Sequence, residues 1–348
     1  MQPIAAAWPK AELHLHLEGS LVPATLFEIS RRHGCPCGLD SLAACQALYQ
    51  YQNFAGFLQA FKTVSQHLLD PEDYALALRG LAQDLKRQNV VYAEITLSIG
   101  VLHWKKQAVA PVLEALEAER QALHNQNLRL AWIFDAVRQF GVAAAEKVLS
   151  DALYWRERAP VVAIGIGGDE IQGPAVWFES LYARAAANGL HLTAHAGENA
   201  GADSVWQTLR YLHPERIGHG LRAREDQELI RYLAAHGAGN AGKQTESPIW
   251  LEICPTSNVR TQCLLRLADH PLPRFWQAGL ALTLASDDPA MFETDLNQEF
   301  SQAAALGLSP EDCRQLARNG FLAAFLPEPD RAAYLNLFDS RSPQASGK

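Results

Sequence analysis

The sequence predicts an α/β fold, a (β/α)8 TIM barrel formed by a single domain over residues 1–338. Eight short segments rich in apolar and β-branched residues are each separated from the next by a segment with helical periodicity, which is the pattern of repeated βα units. Several of these segments are continuous apolar runs, as expected for parallel strands buried on both faces. No glycine-rich phosphate-binding loop follows the first segment, which disfavours an open nucleotide-binding sheet.

The elements follow one another regularly along the chain. The first strand is predicted at 12–18, and helices at 24–33, 54–69 and 72–89 separate it from the second strand at 90–97, so extra helices are expected beside the barrel mouth. The later strands are predicted at 128–137, 161–166, 191–196, 216–219, 251–254 and 280–286. Each follows a helix, predicted at 109–126, 142–158, 175–188, 204–212, 225–235 and 273–278. Two helices close the chain, and the last begins with the capping pair Ser309 and Pro310.

Two regions lie outside this scheme. Residues 237–248 are polar and glycine-rich, which predicts a flexible loop on the face of the barrel opposite the strand C-termini. Residues 339–348 are predicted to be a disordered tail.

The overall composition limits the function classes. A formal charge of −8 argues against a surface for nucleic acid or anionic membrane, so a small-molecule partner is expected. The N-terminus does not resemble a signal peptide, and no apolar run approaches the roughly 20 residues that span a bilayer. Six cysteines are few for a chain of 348 residues, which is typical of a cytoplasmic protein with reduced thiols.

The first strand carries the first chemical signal. Side chains alternate between the two faces of a strand, so His14 and His16 share one face and the flanking leucines share the other. Two imidazoles at this spacing can reach one metal ion. The leucines imply burial, and burying two unpaired imidazoles is costly unless something such as a metal satisfies them.

Other predicted strands also end in residues that bind metals or move protons. In a barrel of this class the chemistry lies at the C-terminal ends of the strands. Three imidazoles and a carboxylate are a suitable Zn²⁺ ligand set, and the candidates are His14, His16, His195 and Asp287. Glu198 and His219 then remain as candidates for the acid and base, and Asp288 is expected to face the substrate.

Four segments of the chain resemble the signature segments of the adenosine deaminase family of metal-dependent amidohydrolases. These segments are PKAELHLHLEG at 9–19, TAHAGE at 193–198, HG at 219–220 and SDDP at 286–289. They occur in the order found in the family and span nearly the whole chain. The resemblance implies one zinc ion at the four ligand positions, and a hydrolytic reaction in which water replaces the amino group at C6 of a 6-aminopurine and ammonia leaves.

The resemblance also implies roles for individual residues. Glu198 corresponds to the residue that protonates ring N1, and His219 to the residue that activates and orients the water. Asp288 corresponds to a contact with N7 and the backbone N–H of Gly168 to a contact with N3, while Glu18 lies towards the sugar. The predicted substrate-binding residues are His16, Glu18, Gly168, Asp288 and Arg138.

Three departures from the adenosine-specific pattern concern the substrate. Gly165 stands where adenosine deaminases usually carry an aspartate, Arg138 follows the third strand, and an aromatic-basic cluster with Trp104 follows the second. These segments resemble the branch that acts on aminodeoxyfutalosine, an adenosine-like nucleoside that bears a benzoate and belongs to menaquinone biosynthesis. Arg138 and Trp104 could supply a cation and an aromatic wall for the benzoate, unless Arg138 instead pairs with Asp135.

Three alternatives stay open at this point. Adenine deaminase is disfavoured because its relatives tend to carry serines where this chain has Gly167 and Gly168. A catalytically silent purine-binding relative is disfavoured because every ligand, acid and base position is filled. An amide or ester hydrolase with two metals would carry a bridging lysine at the end of the fourth strand, and none is present there.

Overall fold

Eight parallel strands form the centre of the molecule and hydrogen-bond to one another in chain order. The computed structural model describes residues 5–124, 126–238 and 247–341. The strands are β1 (Lys10–His16), β2 (Val90–Leu97), β3 (Arg129–Val137), β4 (Val161–Gly167), β5 (His191–Ala196), β6 (Arg216–His219), β7 (Trp250–Ile253) and β8 (Ala281–Leu284). This is the predicted (β/α)8 TIM barrel.

Sixteen α-helices surround the strands within the described residues. The first eight are α1 (Pro23–Arg32), α2 (Leu42–Leu48), α3 (Phe54–His67), α4 (Pro71–Arg87), α5 (Ile99–Trp104), α6 (Val109–His124), α7 (Val142–Trp155) and α8 (Glu179–Ala187). The others are α9 (Ala202–Leu212), α10 (Gln227–Ala235), α11 (Pro255–Arg260), α12 (Leu272–Gln277), α13 (Pro289–Phe292), α14 (Leu296–Ala305), α15 (Pro310–Ala323) and α16 (Glu328–Arg341). None of the helices in these described segments has the length and apolar character required to cross a membrane.

The barrel closes where the chain segment after β8 meets β1. The amide of Asp287 donates to the carbonyl of His14 at 3.0 Å, and the amide of His16 donates to the carbonyl of Asp287 at 2.9 Å. These two bonds form a parallel bridge around Leu15. Closure therefore brings the end of β8 next to the two histidines of β1.

The β1 residues are buried on both faces of the barrel wall. Leu13 and Leu15 are less than 2% exposed and belong to the apolar core, while His14 is 4% and His16 7% exposed. On the outer face of β1, Gly320 of α15 packs so closely on Ala11 that a β-carbon there would lie 3.1 Å from the Ala11 carbonyl oxygen. The alternation predicted for this strand thus separates a helix-packed face from an interior polar face.

Several predicted boundaries are wrong. The first strand ends at His16, and Glu18 instead begins a short 3-10 turn, Glu18–Ser20. The turn passes close to the end of the barrel, since a β-carbon on Gly19 would lie 1.6 Å from an Asp288 oxygen. The short helices α2, α5, α11 and α13 were not predicted, because four to seven residues show too little periodicity.

The end of the chain also differs from the prediction. A further helix, α16, follows the predicted last helix and reaches Arg341, so residues 339–341 are helical. The rest of the predicted tail, 342–348, and most of the predicted glycine-rich loop, 239–246, lie outside the described residues.

Candidate metal centre and active site

The C-terminal ends of four strands bring histidine and aspartate side chains to one point. His14, His195, His219 and Asp287 each offer a ligand atom, and these atoms all lie within 4.8 Å of one another. His16 belongs to the same cluster, because its Nε2 lies 3.4 Å from Asp287 Oδ1, as does Nε2 of His14. The structure therefore brings the four residues predicted as metal ligands together, with His219 beside them.

This donor set fits a divalent cation. Nε2 of His14 is buried and has no hydrogen-bond partner among the described residues, which is costly unless a ligand or ion satisfies it. Burial lowers the pKa of His16 to about 4 and that of His195 well below its usual value. Both imidazoles are therefore neutral at physiological pH, as metal ligation requires.

The backbone at two of these positions is unusual. His219 has φ of +64° and Asp287 has φ of +65°, in the left-handed region that residues other than glycine seldom adopt. Such conformations persist only where the surrounding structure enforces them, and they cluster at functional sites. Here they turn the two side chains from the strand ends into the barrel mouth.

A ring of hydrogen bonds orients the cluster from behind. His14 Nδ1 donates to Glu252 Oε2 at 2.7 Å, which leaves Nε2 facing Asp287 in the cluster. Ser257 Oγ donates to Asp287 Oδ2 at 2.7 Å. Such contacts fix the tautomer and direction of metal ligands. Sequence reasoning did not find Glu252 or Ser257.

Glu252 in turn belongs to a buried charge array at the base of the site. Arg216 is fully buried and pairs with Glu252 at 2.7 Å and with Glu94 at 2.6 Å. Its guanidinium also stacks 3.7 Å from the centre of the Phe325 ring. The array carries one positive and two negative charges, so a metal ion at the His14 end would compensate the excess.

The other residues predicted for catalysis surround the same point. Glu198 is 6% exposed, and its Oε2 lies 3.6 Å from Nε2 of His219. Burial, with Asp287 and Glu170 nearby, raises the pKa of the Glu198 carboxyl well above its usual value. Burial and the adjacent Asp287 likewise raise the pKa of Asp288.

Glu170 holds the backbone that carries Glu198. Its carboxylate accepts hydrogen bonds from the amides of residues 197–200, at 2.7 to 3.4 Å, and from Ser204 Oγ. An acidic residue thus fills an anion-binding nest formed by successive N–H groups. The sequence did not predict this role of Glu170.

A cavity of about 450 Å³ opens above the cluster. Its floor includes His16, Gly168, His195, Glu198, His219, Asp287 and Asp288. Its outer part is apolar and aromatic, formed by Phe54, Phe57, Leu58, Phe61, Val101, Trp104, Val137 and Phe140. Trp104 stacks on Phe140 with the ring centres 6.1 Å apart, and Lys62 Nζ lies 5.1 Å from the centre of the Trp104 ring.

Two predicted substrate-binding residues do not line this cavity. Arg138 is fully buried, and its guanidinium donates to the carbonyls of Gly173 at 3.0 Å and His195 at 2.5 Å. It links the loop after β4 to the end of β5, and it makes no ion pair with Asp135 among the described contacts. Glu18 is buried in its 3-10 turn, where Oε1 accepts from the amide of Ser98 at 3.1 Å.

Comparison with known proteins identifies the family. The family model described as "Adenosine deaminase" matches residues 9–340. The chain belongs to the adenosine deaminase family. Members of this family are metal-dependent, and the protein is a hydrolase that acts on carbon–nitrogen bonds.

The relatives of this family member carry several names. An aminodeoxyfutalosine deaminase of Streptomyces coelicolor is 36% identical over 96% of this chain and 84% of the relative. An adenine deaminase of Ralstonia nicotianae is 34% identical over 96% of this chain and 95% of the relative. The crystal structure of an adenine deaminase from Arthrobacter aurescens superposes with a TM-score of 0.85 at 30% identity, over 96% of this chain and 99% of that one. Family membership therefore supports deamination and leaves the substrate to be inferred.

The contact between His14 and Glu252 yields a first prediction. Glu252→Gln removes the charge that orients His14 and pairs with Arg216, so metal affinity should fall about 10- to 100-fold, as for other partners of metal-bound histidines. Competition with a chelator of known affinity measures the change. Glu228→Gln, on the exposed face of α10, is the matched control and should keep the wild-type affinity. Equal metal affinity in the Glu252 variant would contradict the assignment.

Proposed function

We propose that the protein hydrolyses the C6 amino group of a 6-aminopurine nucleoside, consuming one water and releasing the 6-oxo product and one ammonia. The observation that supports this most directly is the convergence, in one cavity, of a metal-type ligand cluster with a buried carboxyl of raised pKa at Glu198. A single cluster thus offers both the site for a nucleophile and a proton donor for the ring.

The proposed ligands of the metal, taken to be zinc, are His14, His16, His195 and Asp287. When held by these residues, zinc would lower the pKa of a water molecule towards neutrality, which would provide the nucleophile. The protein holds these four donors on a rigid strand framework and uses Glu252 to keep His14 in the required tautomer.

Glu198 is the proposed donor to ring N1. Addition of an oxygen nucleophile at C6 saturates that carbon and moves negative charge to N1. A proton delivered to N1 neutralises this charge and so avoids the energetic cost of placing it there. The raised pKa of Glu198 keeps its carboxyl protonated when the purine binds, and the hydrogen bonds of Glu170 to the backbone hold it in place.

Asp288 and Gly168 are the proposed contacts of the purine ring. The raised pKa of Asp288 favours a protonated carboxyl, which can donate to the N7 acceptor. Gly168 has φ of +91°, a backbone conformation that residues with a side chain rarely adopt, so glycine suits a position whose N–H is proposed to contact the ring. Glu18 lies behind the cavity wall on the proposed sugar side. Its carboxylate accepts from the amide of Ser98, which lines the cavity.

We further propose that the preferred nucleoside is aminodeoxyfutalosine. The cavity extends past the ligand cluster into an aromatic region, where the stacked Trp104 and Phe140 could face the benzoate of this substrate. Lys62, in place of Arg138, is the cation near this region. The Streptomyces coelicolor relative bears the name of this activity.

The proposal is tested by comparing kcat/KM for aminodeoxyfutalosine, adenosine, deoxyadenosine and adenine, with ammonia release as the readout. We expect the highest value for aminodeoxyfutalosine, because only this substrate fills the aromatic region. A value for adenosine that equals or exceeds it would reject the specialised substrate and retain the reaction. If adenine alone were deaminated, the nucleoside assignment would be wrong, and if no substrate released ammonia, the protein would be a silent purine-binding relative.

Lys62→Met separates the contribution of the cation from that of the aromatic rings. The variant keeps an extended apolar side chain over Trp104 but removes the charge, so KM for aminodeoxyfutalosine should rise about 5- to 10-fold while kinetics with adenosine stay unchanged. Steady-state assays with both substrates measure this. Lys147→Met, on the exposed surface of α7, is the matched control. An equal effect on both substrates would show that Lys62 does not recognise the carboxylate.

A further inference from the structure

His219 is linked to a chain of buried polar groups that ends at a backbone amide. The amide of Leu272 donates to His270 Nδ1 at 3.1 Å. His270 Nε2 lies 3.2 Å from Asn258 Oδ1, and Asn258 Nδ2 lies 3.2 Å from His219 Nδ1. His219 and Asn258 are each 1% exposed and His270 is 5% exposed. Their hydrogen positions are therefore set by hydrogen-bond partners within the protein and not by solvent.

The donors and acceptors of this chain can be arranged in one way only. A backbone amide only donates, so His270 Nδ1 has no hydrogen and the ring carries its single hydrogen on Nε2. That hydrogen requires an acceptor, which makes the facing Asn258 atom the carbonyl oxygen and excludes the flipped amide. The Asn258 amide nitrogen then donates to His219 Nδ1.

This arrangement of donors and acceptors determines which nitrogen of His219 carries the ring hydrogen. Since Nδ1 accepts, the single ring hydrogen of His219 lies on Nε2, which faces the cavity. The nearest described acidic oxygens are Glu198 Oε2 at 3.6 Å and Asp287 Oδ2 at 3.8 Å, both beyond a normal hydrogen bond. The Nε2–H group is therefore buried, without a partner in the described structure, on a residue that lines the cavity floor.

We propose that Asn258 and His270 are positioning residues that hold His219 as a hydrogen-bond donor to the attacking oxygen. This inference rests on the proposed deamination and sharpens the role of His219. In the resting state its Nε2 carries a hydrogen and cannot accept a proton from water. Its N–H orients the incoming oxygen and stabilises the charge that remains on it during attack at C6, as a preorganised donor does.

The local structure explains how the chain of bonds is built. The amide of Asn258 donates to the carbonyl of Cys254 at the end of β7, which fixes Asn258 in α11 next to the strand carrying Glu252. His270 precedes α12, and its ring accepts from the second residue that follows it. The single connection between β7 and β8 thus supplies both residues that orient the imidazole of His219.

Two substitutions at His270 test the inference against a purely structural role. In His270→Gln, the amide oxygen can accept from Leu272 N–H and the amide nitrogen can donate to Asn258, so kcat should stay within about threefold of wild type. His270→Leu fills similar space without either group, so kcat should fall about 10- to 100-fold with KM little changed, the range found when an outer hydrogen-bond partner is lost. Equal losses in both variants would overturn the inference.

Asn258→Asp gives a spectroscopic test that does not depend on turnover. Aspartate accepts from both neighbours, so His219 should move its hydrogen to Nδ1. Nitrogen-15 shifts of labelled histidines in the zinc-loaded protein report the tautomer of His219, assigned by comparison with His219→Gln. Nε2–H in wild type and His270→Gln, with Nδ1–H in Asn258→Asp, is the expected result.

Nδ1–H in the wild-type protein would overturn the inference, whatever the substrate. This readout also separates the two proposals. If the wild-type protein deaminated no 6-aminopurine, the proposed function would fail, while the tautomer would still be measured. If deamination were normal and His270→Leu retained full kcat, the positioning role alone would fail.

Discussion

The backbone contact between β1 and the end of β8 is the constraint on which the rest of the site depends. The same residues that close the barrel, His14, His16 and Asp287, also supply donor atoms to the cluster. Barrel closure and assembly of the cluster are therefore one event. A chain that failed to pair these segments would lose both the closed sheet and the ligand geometry.

The second constraint is electrostatic. Burying Arg216 with Glu94 and Glu252 costs solvation energy, and ion pairs of this kind seldom increase stability over apolar packing. The array is better explained by its role in the site, because Glu252 accepts a hydrogen bond from His14 and orients its ring. Loss of Arg216 would leave the two glutamates as uncompensated buried charges, which costs about 3–5 kcal/mol. The array thus lowers the stability of the barrel interior but fixes the direction of the His14 ring.

The substrate side of the cavity follows different rules. The floor is built from strand ends and is rigid, whereas the aromatic region comes from α3, α5 and the turn after β3. Helices and loops can vary while the floor stays the same. This division is consistent with relatives that share the fold and carry the names of different deaminases.

The sequence predicted the barrel and the cluster because both have strong local signals. The spacing of His14 and His16 defines a face of a strand, His195 lies near the end of the predicted fifth strand, and Asp287 directly follows the predicted eighth. Glu252 was missed because it lies inside an apolar strand, and its partner His14 is 238 residues away. Asn258 was missed because α11, which carries it, is only six residues long and shows no periodicity. His270 was missed because it lies in the connection before α12, outside any helix or strand.

The error over Arg138 has a similar cause. An arginine after a strand indicates the catalytic face, but its direction depends on the close approach of Gly173, where a β-carbon would lie 2.3 Å from Arg138 Cβ. The guanidinium is buried between the loop after β4 and the end of β5. Position along the chain therefore identified the correct face of the barrel and not the correct contact.

Titration of metal-free protein with zinc, while deamination is followed, tests the central claim most directly. A single centre formed by His14, His16, His195 and Asp287 predicts that activity is absent after chelation, rises in proportion to added zinc and stops rising at one equivalent per chain. Full activity in the metal-free protein, or a rise that continues to two equivalents, would contradict a mononuclear metal-dependent deaminase.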